Sequence, residues 1–266
     1  MPPAPGDSGE LVNRIRRNAG RLAQVGAITV ALVVTLSTGA NTPVPAATVG
    51  TRNVTLTSAA MSLSAPVVGV AATKSGAGYW RAAADGGVLT AGDAPYYGSA
   101  HGRIHAFVIG IARTPTGKGY WLVDVAGSVY NFGDAVYKGQ MWGKPLKAPI
   151  VGIAGTPDGK GYWLVASDGG IFTFGTAPYK GSTGSLRLKK PMVGIASTAS
   201  GKGYWTVAAD GGIFSFGDAP FYGSAAGGST SPVVGMVATQ SGRGYWLLRA
   251  DGQVQAFGDA SFAGNG

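Results

Sequence analysis

The stretch PIVGIAGTPDGKGYWLVASDGGIFTFGTAPYKGS, residues 149–182, decides the fold because the chain repeats it. Its Gly-Tyr-Trp motif occurs five times, with the tryptophans 41, 42, 42 and 41 residues apart. We number the copies 1 to 5 by these tryptophans: Trp80, Trp121, Trp163, Trp205 and Trp246. In every copy one glycine lies 11 residues before the Trp, a second 12 after it, and a third 6 further on. All length changes therefore fall in the joints between copies.

Each copy contains four segments that look like short β-strands. In copy 3 these are residues 151–154, 162–167, 170–174 and 179–181. Asp168-Gly169 between the second and third segments is a tight-hairpin signal. Four strands in a unit of about 42 residues, repeated five times, predict an all-β, five-bladed β-propeller. An open solenoid of stacked hairpins is the alternative, and closure is favoured because it removes exposed sheet edges.

Composition limits the class of protein further. The chain has 266 residues with 46 Gly, no Cys and 12% charged residues. Abundant aromatics and the absence of a Gly triplet exclude collagen, a charge-rich disordered chain and a coiled coil. The lack of Cys excludes a disulfide scaffold. From residue 48 onward there are 17 Lys and Arg against 10 Asp, a net charge of +7 that favours anionic partners over neutral ones.

The N-terminal residues look like a secretory signal. A basic region that ends at Arg21 precedes an apolar run over residues 22–36, and small residues follow up to residue 47. We predict a signal peptide over 1–47, a polar leader over 48–61 and the repeat domain over 62–266. An uncleaved membrane anchor is the alternative for 1–47, and residues 52–56 are a candidate clasp for the ring. The predicted location is secreted or cell-wall associated.

The repeats resemble a family of secreted actinobacterial proteins that is marked by three motifs. Copy 4 carries them as Gly203-Tyr204-Trp205, Asp210-Gly211-Gly212-Ile213-Phe214 and a nine-residue Phe-Gly-Asp-Ala-Pro-Phe-Tyr-Gly-Ser stretch, residues 216–224. The resemblance covers residues 66–266. It implies a propeller-like array of the kind that often accompanies cell-wall hydrolase domains. Three positions depart from the pattern: Ala126 replaces the hairpin Asp, Thr176 the turn Asp and Ala91 the turn Phe.

The inventory of catalytic side chains after residue 47 is small. Glu is absent there, and eight of the ten Asp occupy two repeated turn positions, where an Asp usually bonds its own backbone. The hairpin set is Asp85, Asp168, Asp210 and Asp251. The second set is Asp93, Asp134, Asp218 and Asp259. Asp124 and Asp158 lie outside both sets, without an evident catalytic partner. His101 and His105 lack a third ligand and helical spacing, so we predict no metal, no cofactor and no enzymatic activity.

Loops at the two ends of the sheets have different characters. The Gly-Lys-Gly turns should share one end with the second Asp set, and opposite charges there suggest a structural charge ring. The other end should carry the hairpins and the variable joints. We predict that ligands bind there, through joint residues that include one Trp outside the Gly-Tyr-Trp motif and six cations. They are Trp142, Lys144, Lys147, Arg103, Arg187, Lys189 and Lys190.

These observations predict a non-catalytic binding module for cell-envelope or extracellular glycan, with an anionic cell-wall polymer as the expected partner. A cell-surface scaffold that binds another protein is the first alternative, and a hydrolase-associated protein is the second. Secretion argues against a nucleic-acid partner. Contact with a membrane is expected only through the N-terminal segment, if that segment is not cleaved.

Overall fold

A computed structural model describes residues 65–261, so the predicted signal peptide, the leader and the candidate clasp lie outside it. Copies 1 to 5 form five separate antiparallel sheets, sheet 1 to sheet 5, each with three strands in chain order. No helix in this part of the chain could cross a membrane. The strands are β1(Val67–Ala72), β2(Tyr79–Ala83), β3(Val88–Ala91), β4(Val108–Arg113), β5(Gly119–Asp124), β6(Val129–Gly133), β7(Ile150–Gly155), β8(Gly161–Ala166), β9(Ile171–Gly175), β10(Met192–Ser197), β11(Gly203–Ala208), β12(Ile213–Gly217), β13(Val233–Ala238), β14(Gly244–Arg249) and β15(Val254–Gly258).

The middle strand of each interior sheet is buried on both faces. All six residues of β5, β8 and β11 are buried, because neighbouring sheets cover them on either side. This explains the apolar residues at consecutive positions in the sequence, where a half-exposed strand would alternate apolar and polar residues. The first strands contact one another in the order β1, β4, β7, β10 and β13, so they form the inner edge of the array.

One recurring contact joins each sheet to the next. Between sheets 3 and 4, the Trp163 and Tyr204 rings lie 5.6 Å apart, and the Tyr204 hydroxyl donates a 2.6 Å hydrogen bond to the Gly181 carbonyl. A Cβ on Gly181 would lie 2.8 Å from the Phe216 ring, and its φ of 126° also favours glycine. The predicted core role of the Gly-Tyr-Trp aromatics is thus confirmed for the first four tryptophans, which are fully buried.

The fourth strand predicted in each copy is wrong, since the described sheets have three strands. The segment at residues 176–183 runs back beside β9 but forms no ladder. Pro178 has no N–H to donate, and its carbonyl accepts the indole N–H of Trp163 at 2.9 Å. The Lys180 N–H donates to the Tyr204 hydroxyl of the next sheet. Single bonds to side chains therefore replace strand pairing.

The two ends of the array are free within residues 65–261. Four core clusters lie between five sheets, and no such cluster joins sheet 5 to sheet 1. A Cβ on Gly235 of sheet 5 would meet nothing within 4 Å, whereas one on its equivalent Gly194 would contact sheet 5. Tyr79 at the other end is 40% exposed, while the four equivalent tyrosines are fully buried. The predicted closure of the ring is therefore not seen in the described residues.

The two Asp sets bond differently. In the hairpins, the carboxylate accepts a backbone N–H two residues on, as Asp168 does from Gly170 at 3.0 Å, which confirms the predicted local role. At the opposite end the carboxylates accept hydroxyls from the facing loop, as Asp218 does from Thr198 and Ser200 at 2.9 and 2.5 Å. Asp93 and Asp259 also bond their own backbone N–H, as expected, but the hydroxyl bonds contribute most to the lowering of their pKa. No ion pair within the described residues joins these Asp to the turn lysines.

Copy 3 keeps this bridge with its two partners exchanged. Thr176 stands where the other copies have Asp, and Asp158 stands where they have Ser or Thr. Asp158 accepts hydroxyl hydrogen bonds from Thr156 at 2.5 Å and from Thr176 at 3.0 Å. The hydrogen bonds to Thr156 and to the backbone N–H of Lys160 hold the pKa of Asp158 below its usual value. Asp158, which stood outside the repeated Asp sets, is thereby explained as a structural residue.

Candidate functional site

The hairpin end carries the feature that departs most from the repeat. Joint 1 (residues 99–107) and joint 2 (residues 140–149) cross this end on either side of sheet 2. They bring together residues that are far apart in the sequence, over the hairpin that lacks its Asp. We call the resulting group the aromatic stack: Tyr130, His105 and Trp142.

The rings of the aromatic stack lie nearly parallel. Trp142 and His105 have centroids 4.5 Å apart with an interplanar angle of 16°. His105 and Tyr130 have centroids 6.2 Å apart at 24°. His105 is exposed, whereas Trp142 and Tyr130 are half-buried, so the exposed imidazole lies between two half-buried rings.

Asp124 supports the aromatic stack through hydrogen bonds. This fully buried side chain accepts the backbone N–H groups of Ala126 and Ser128, at 3.0 and 2.8 Å, and the Tyr130 hydroxyl at 3.0 Å. The Tyr130 hydroxyl in turn accepts the backbone N–H of His105 at 2.8 Å. Each link fixes the next, so the stack is positioned before any ligand arrives.

Burial shifts the pKa values of both acidic groups in this network, Asp124 and Tyr130. Desolvation raises the pKa of Asp124 above its ordinary value, although hydrogen bonds from Ser128 oppose the shift. Desolvation also raises the pKa of Tyr130 to about 12, with the neighbouring Asp124 charge adding to it. Tyr130 therefore stays protonated at neutral pH and can keep donating to the carboxylate.

Three substitutions in copy 2 create this network. Asp124 replaces an Ala or Arg, Ser128 replaces a Gly or Gln, and Tyr130 replaces a Leu, Phe or Gln. With the hairpin Asp lost to Ala126, Asp124 takes over the bond to the hairpin backbone from two residues earlier. Asp124 and Ala126 are visible in the sequence as departures from the repeat, but no sequence pattern connects them with His105.

In sheet 5 the position equivalent to Asp124 carries a side chain of the opposite charge. Arg249, equivalent to Asp124, is buried and donates to the Gln255 side chain at 3.1 Å and to the Ala225 carbonyl at 2.8 Å. It also donates to the Ser231 carbonyl. Arg249 thereby holds joint 4 (residues 224–232) in place, whereas Asp124 holds joint 1 in place through Tyr130.

The predicted cations divide into two groups. Arg103 lies 5.9 Å over the Phe132 ring and donates to the Ser99 carbonyl, and Lys144 lies 5.8 Å over the Phe174 ring. These two cover aromatic side chains of the next sheet, so the structure gives them a packing role as well. The remaining four are exposed in joint 2 and in joint 3, which covers residues 182–191: Lys147, Arg187, Lys189 and Lys190.

The two histidines do not belong to one shared site. His101 occupies the position equivalent to Trp142, and its Nδ1 lies 3.1 Å from Asp85. His105 Nδ1 lies 3.2 Å from the Tyr130 hydroxyl and 3.3 Å from the Ser128 hydroxyl. No group of three or more potential metal ligands occurs in residues 65–261. Ser128 is fully buried, so its hydroxyl supports His105 and is not presented to solvent.

A second set of aromatic residues was not predicted from the sequence. In copies 1 to 4 the aromatic ring at the position 16 residues after the Gly-Tyr-Trp tryptophan is exposed. We call them the outer rings: Tyr96, Tyr137, Tyr179 and Phe221. The signal was present in the sequence, because every copy has Tyr or Phe at this position, but the copies alone do not distinguish an exposed ring from a core one.

Comparison with known proteins supports the fold. No family model matches this chain, and no curated protein is similar to it. Among solved structures, the β-propeller domain of Cps50 (Swd1) from Myceliophteria thermophila aligns with 76% of this chain and 68% of its own, at 15% identity and a TM-score of 0.53. At that identity the likeness shows the fold alone. The chain is an all-β protein with a propeller-like arrangement of five three-stranded sheets.

Proposed function

We propose that this chain is a secreted, non-catalytic binding module that recognises cell-envelope or extracellular glycan at its hairpin end. The aromatic stack is the observation that carries the proposal. Trp142 and His105 present aromatic surface at a loop-rich end, and the buried Asp124 network holds them in place. A preorganised aromatic surface loses little conformational entropy when a sugar ring packs against it.

The charge around the stack favours an anionic polymer. Lys147, Arg187, Lys189 and Lys190 are exposed on neighbouring joints, and the repeat region carries a net positive charge. Such cations attract carboxylate or phosphate groups and speed the encounter with them. The stack would supply affinity for the sugar itself, and the cations would supply attraction to its charged substituents.

Retention on purified actinobacterial cell walls, over a series of salt concentrations, tests the proposal. We expect wild-type protein to be retained at high salt, where charge interactions are screened within about 3 Å, and Trp142→Ala to be released. Leu186→Ala, an exposed apolar change in joint 3, is the matched control. Retention at low salt alone would reduce the site to non-specific charge attraction. No retention would favour the protein-scaffold alternative, which competition with soluble glycan also distinguishes.

We also propose that the five sheets close into the five-bladed ring predicted from the sequence, with sheet 5 packed against sheet 1. Acrylamide quenching tests this idea, because Trp246 at the free face should then be as protected as the fully buried Trp163. A variant that keeps only Trp246, with the other tryptophans changed to Phe, reports on that position. Ready quenching in a folded protein would contradict closure.

A further inference from the structure

The outer rings are exposed in copies 1 to 4. Tyr96, Tyr137, Tyr179 and Phe221 have exposed fractions of 59, 48, 60 and 61%. No ring–ring contact within the described residues involves them, whereas the Gly-Tyr-Trp tyrosines of copies 2 to 5 each pack on a Trp of the previous sheet. Ring–ring packing therefore does not account for an aromatic residue at this position.

The repeats serve as an internal alignment that shows which exposed positions tolerate change. The position immediately after the outer ring holds Tyr, Lys, Lys, Tyr and Ala in the five copies. The outer-ring position itself holds Tyr, Tyr, Tyr, Phe and Phe, the last of these being Phe262 outside the described residues. The ring is retained while the hydroxyl is dispensable, which is the pattern expected if the face of the ring is used.

The fold spaces the outer rings regularly. Each one follows the third strand of its sheet, on the outer side of the array, since the first strands form the inner edge. The next residue packs its side-chain stem against the following sheet: Lys180 Cγ would lie 2.9 Å from a Cβ on Gly217, and Lys138 Cγ 3.0 Å from one on Gly175. Both lysines remain exposed. Neighbouring sheets pack about 10 Å apart, so successive rings form a row with about that separation or more.

We infer that the outer rings are a row of equivalent subsites for a linear polysaccharide, with one sugar ring packing against each aromatic face. Scattered exposed apolar residues need no explanation, but these rings recur at one position of the repeat. A polymer with a repeating structure can occupy several equivalent subsites at once, and the linked contacts then multiply in affinity. Lys138 and Lys180, which directly follow two of the rings, are compatible with an acidic sugar. The inference takes its ligand class from the proposed function but places the contact on a different surface.

The test compares ring removal with ring retention in the full chain. One variant carries Tyr96→Ala, Tyr137→Ala, Tyr179→Ala and Phe221→Ala. Its matched control exchanges the same positions between Tyr and Phe, so all four rings remain. Both are measured against short and long glycan fragments released from purified cell walls with their anionic polymers retained, and circular dichroism confirms that the fold persists.

We expect wild-type protein and the Tyr/Phe control to bind long fragments about 100-fold more tightly than short ones, as multivalent contact predicts. The Ala variant should lose that dependence on length. If the Ala variant binds like wild type while Trp142→Ala does not bind, the row of subsites is overturned and the proposed function stands. If Trp142→Ala binds normally and the Ala variant does not, the inference stands and the hairpin-end site is wrong. A wild-type protein that binds neither fragment overturns both.

Discussion

Sheets 3 and 5 are built from similar sequences, GYWLVASDGGIFTFG and GYWLLRADGQVQAFG, but their tryptophans lie in different surroundings. Trp163 is fully buried against Tyr204 of the next sheet. Trp246 is half-buried, because no sixth sheet covers it, and Val237 beside it is 44% exposed. Both indole N–H groups make the same 2.9 Å bond to the carbonyl 15 residues on. A copy thus sets its own internal bonds, while its neighbour decides how much of it is core.

This comparison predicts that equal substitutions have unequal costs. Trp163→Ala should reduce the free energy of unfolding by about 3–5 kcal/mol, the usual range for a large core aromatic. In the open arrangement of residues 65–261, Trp246→Ala should cost less than half as much, since part of the ring is already in water; the closed ring proposed above predicts an equal cost. Urea denaturation of both variants, followed by far-UV circular dichroism, measures the difference. Equal costs would mean that something covers Trp246 in the complete chain.

The tyrosines of the same motif sharpen the comparison at the other end. Tyr204→Phe removes the 2.6 Å hydrogen bond to Gly181 and leaves a buried carbonyl short of a donor. We expect a loss of about 1–2 kcal/mol. Tyr79 is exposed at the free face of sheet 1 in residues 65–261, so in this open arrangement Tyr79→Phe should change stability by no more than about 0.5 kcal/mol. Chemical denaturation of the two variants measures both losses of stability, and a large effect of Tyr79→Phe would indicate a closed ring.

Buried and exposed aspartates should respond to pH with opposite signs. The folded-state pKa of Asp124 is raised by desolvation, so its favourable contribution is complete below the unfolded value and is lost as the pH rises through the raised pKa. The pKa of Asp158 is lowered by hydrogen bonds, so its contribution is present above about pH 4 and is lost as the pH falls. Relative to wild type, Asp124→Asn should therefore become more stable with rising pH, and Asp158→Asn less stable. Unfolding midpoints from pH 3 to 8 give both slopes, and slopes of the same sign would contradict the assignment.

The exchanged pair in copy 3 provides the smallest effect. Thr176→Asp alone places a second carboxylate beside Asp158, and we expect a loss of about 0.5 kcal/mol at neutral pH and low salt. Adding Asp158→Ser recreates the arrangement of sheet 5, where Thr239 and Ser241 donate to Asp259 at 2.9 and 2.5 Å. The double variant should recover wild-type stability. Thermal unfolding at two salt concentrations tests this, and equal stability of the single and double variants would rule out carboxylate repulsion.

The sequence predicted the interior of each copy well. Strands predicted at residues 151–154, 162–167 and 170–174 of copy 3 appear as Ile150–Gly155, Gly161–Ala166 and Ile171–Gly175. Fixed spacing between Gly, Trp and Phe requires the same local geometry in every copy. The fourth strand failed because its segment bonds to Trp and Tyr side chains, which no local pattern records.

The aromatic stack of the candidate site could be predicted from the sequence only in part. The joints and Trp142 were identified as candidates from their departure from the repeat, and the structure places Trp142 in the aromatic stack. Arg103 and Lys144 were predicted as ligand cations, but each lies over a Phe of the next sheet. Which exposed side chain packs across a joint depends on the distance between sheets, and that distance is not written in the spacing of any one copy.

Sequence by itself determined the number of copies, their strands, their hairpins and the residues of their internal bonds, because these depend on interactions within about 40 residues. Tertiary structure decided the rest. It buried four of the five motif tryptophans, joined Asp124 to His105 and Trp142 through Tyr130, and left Tyr96, Tyr137, Tyr179 and Phe221 in solvent. Burial and contact across joints depend on which surfaces neighbouring sheets cover, so a repeated residue acquires its role only when the copies are stacked.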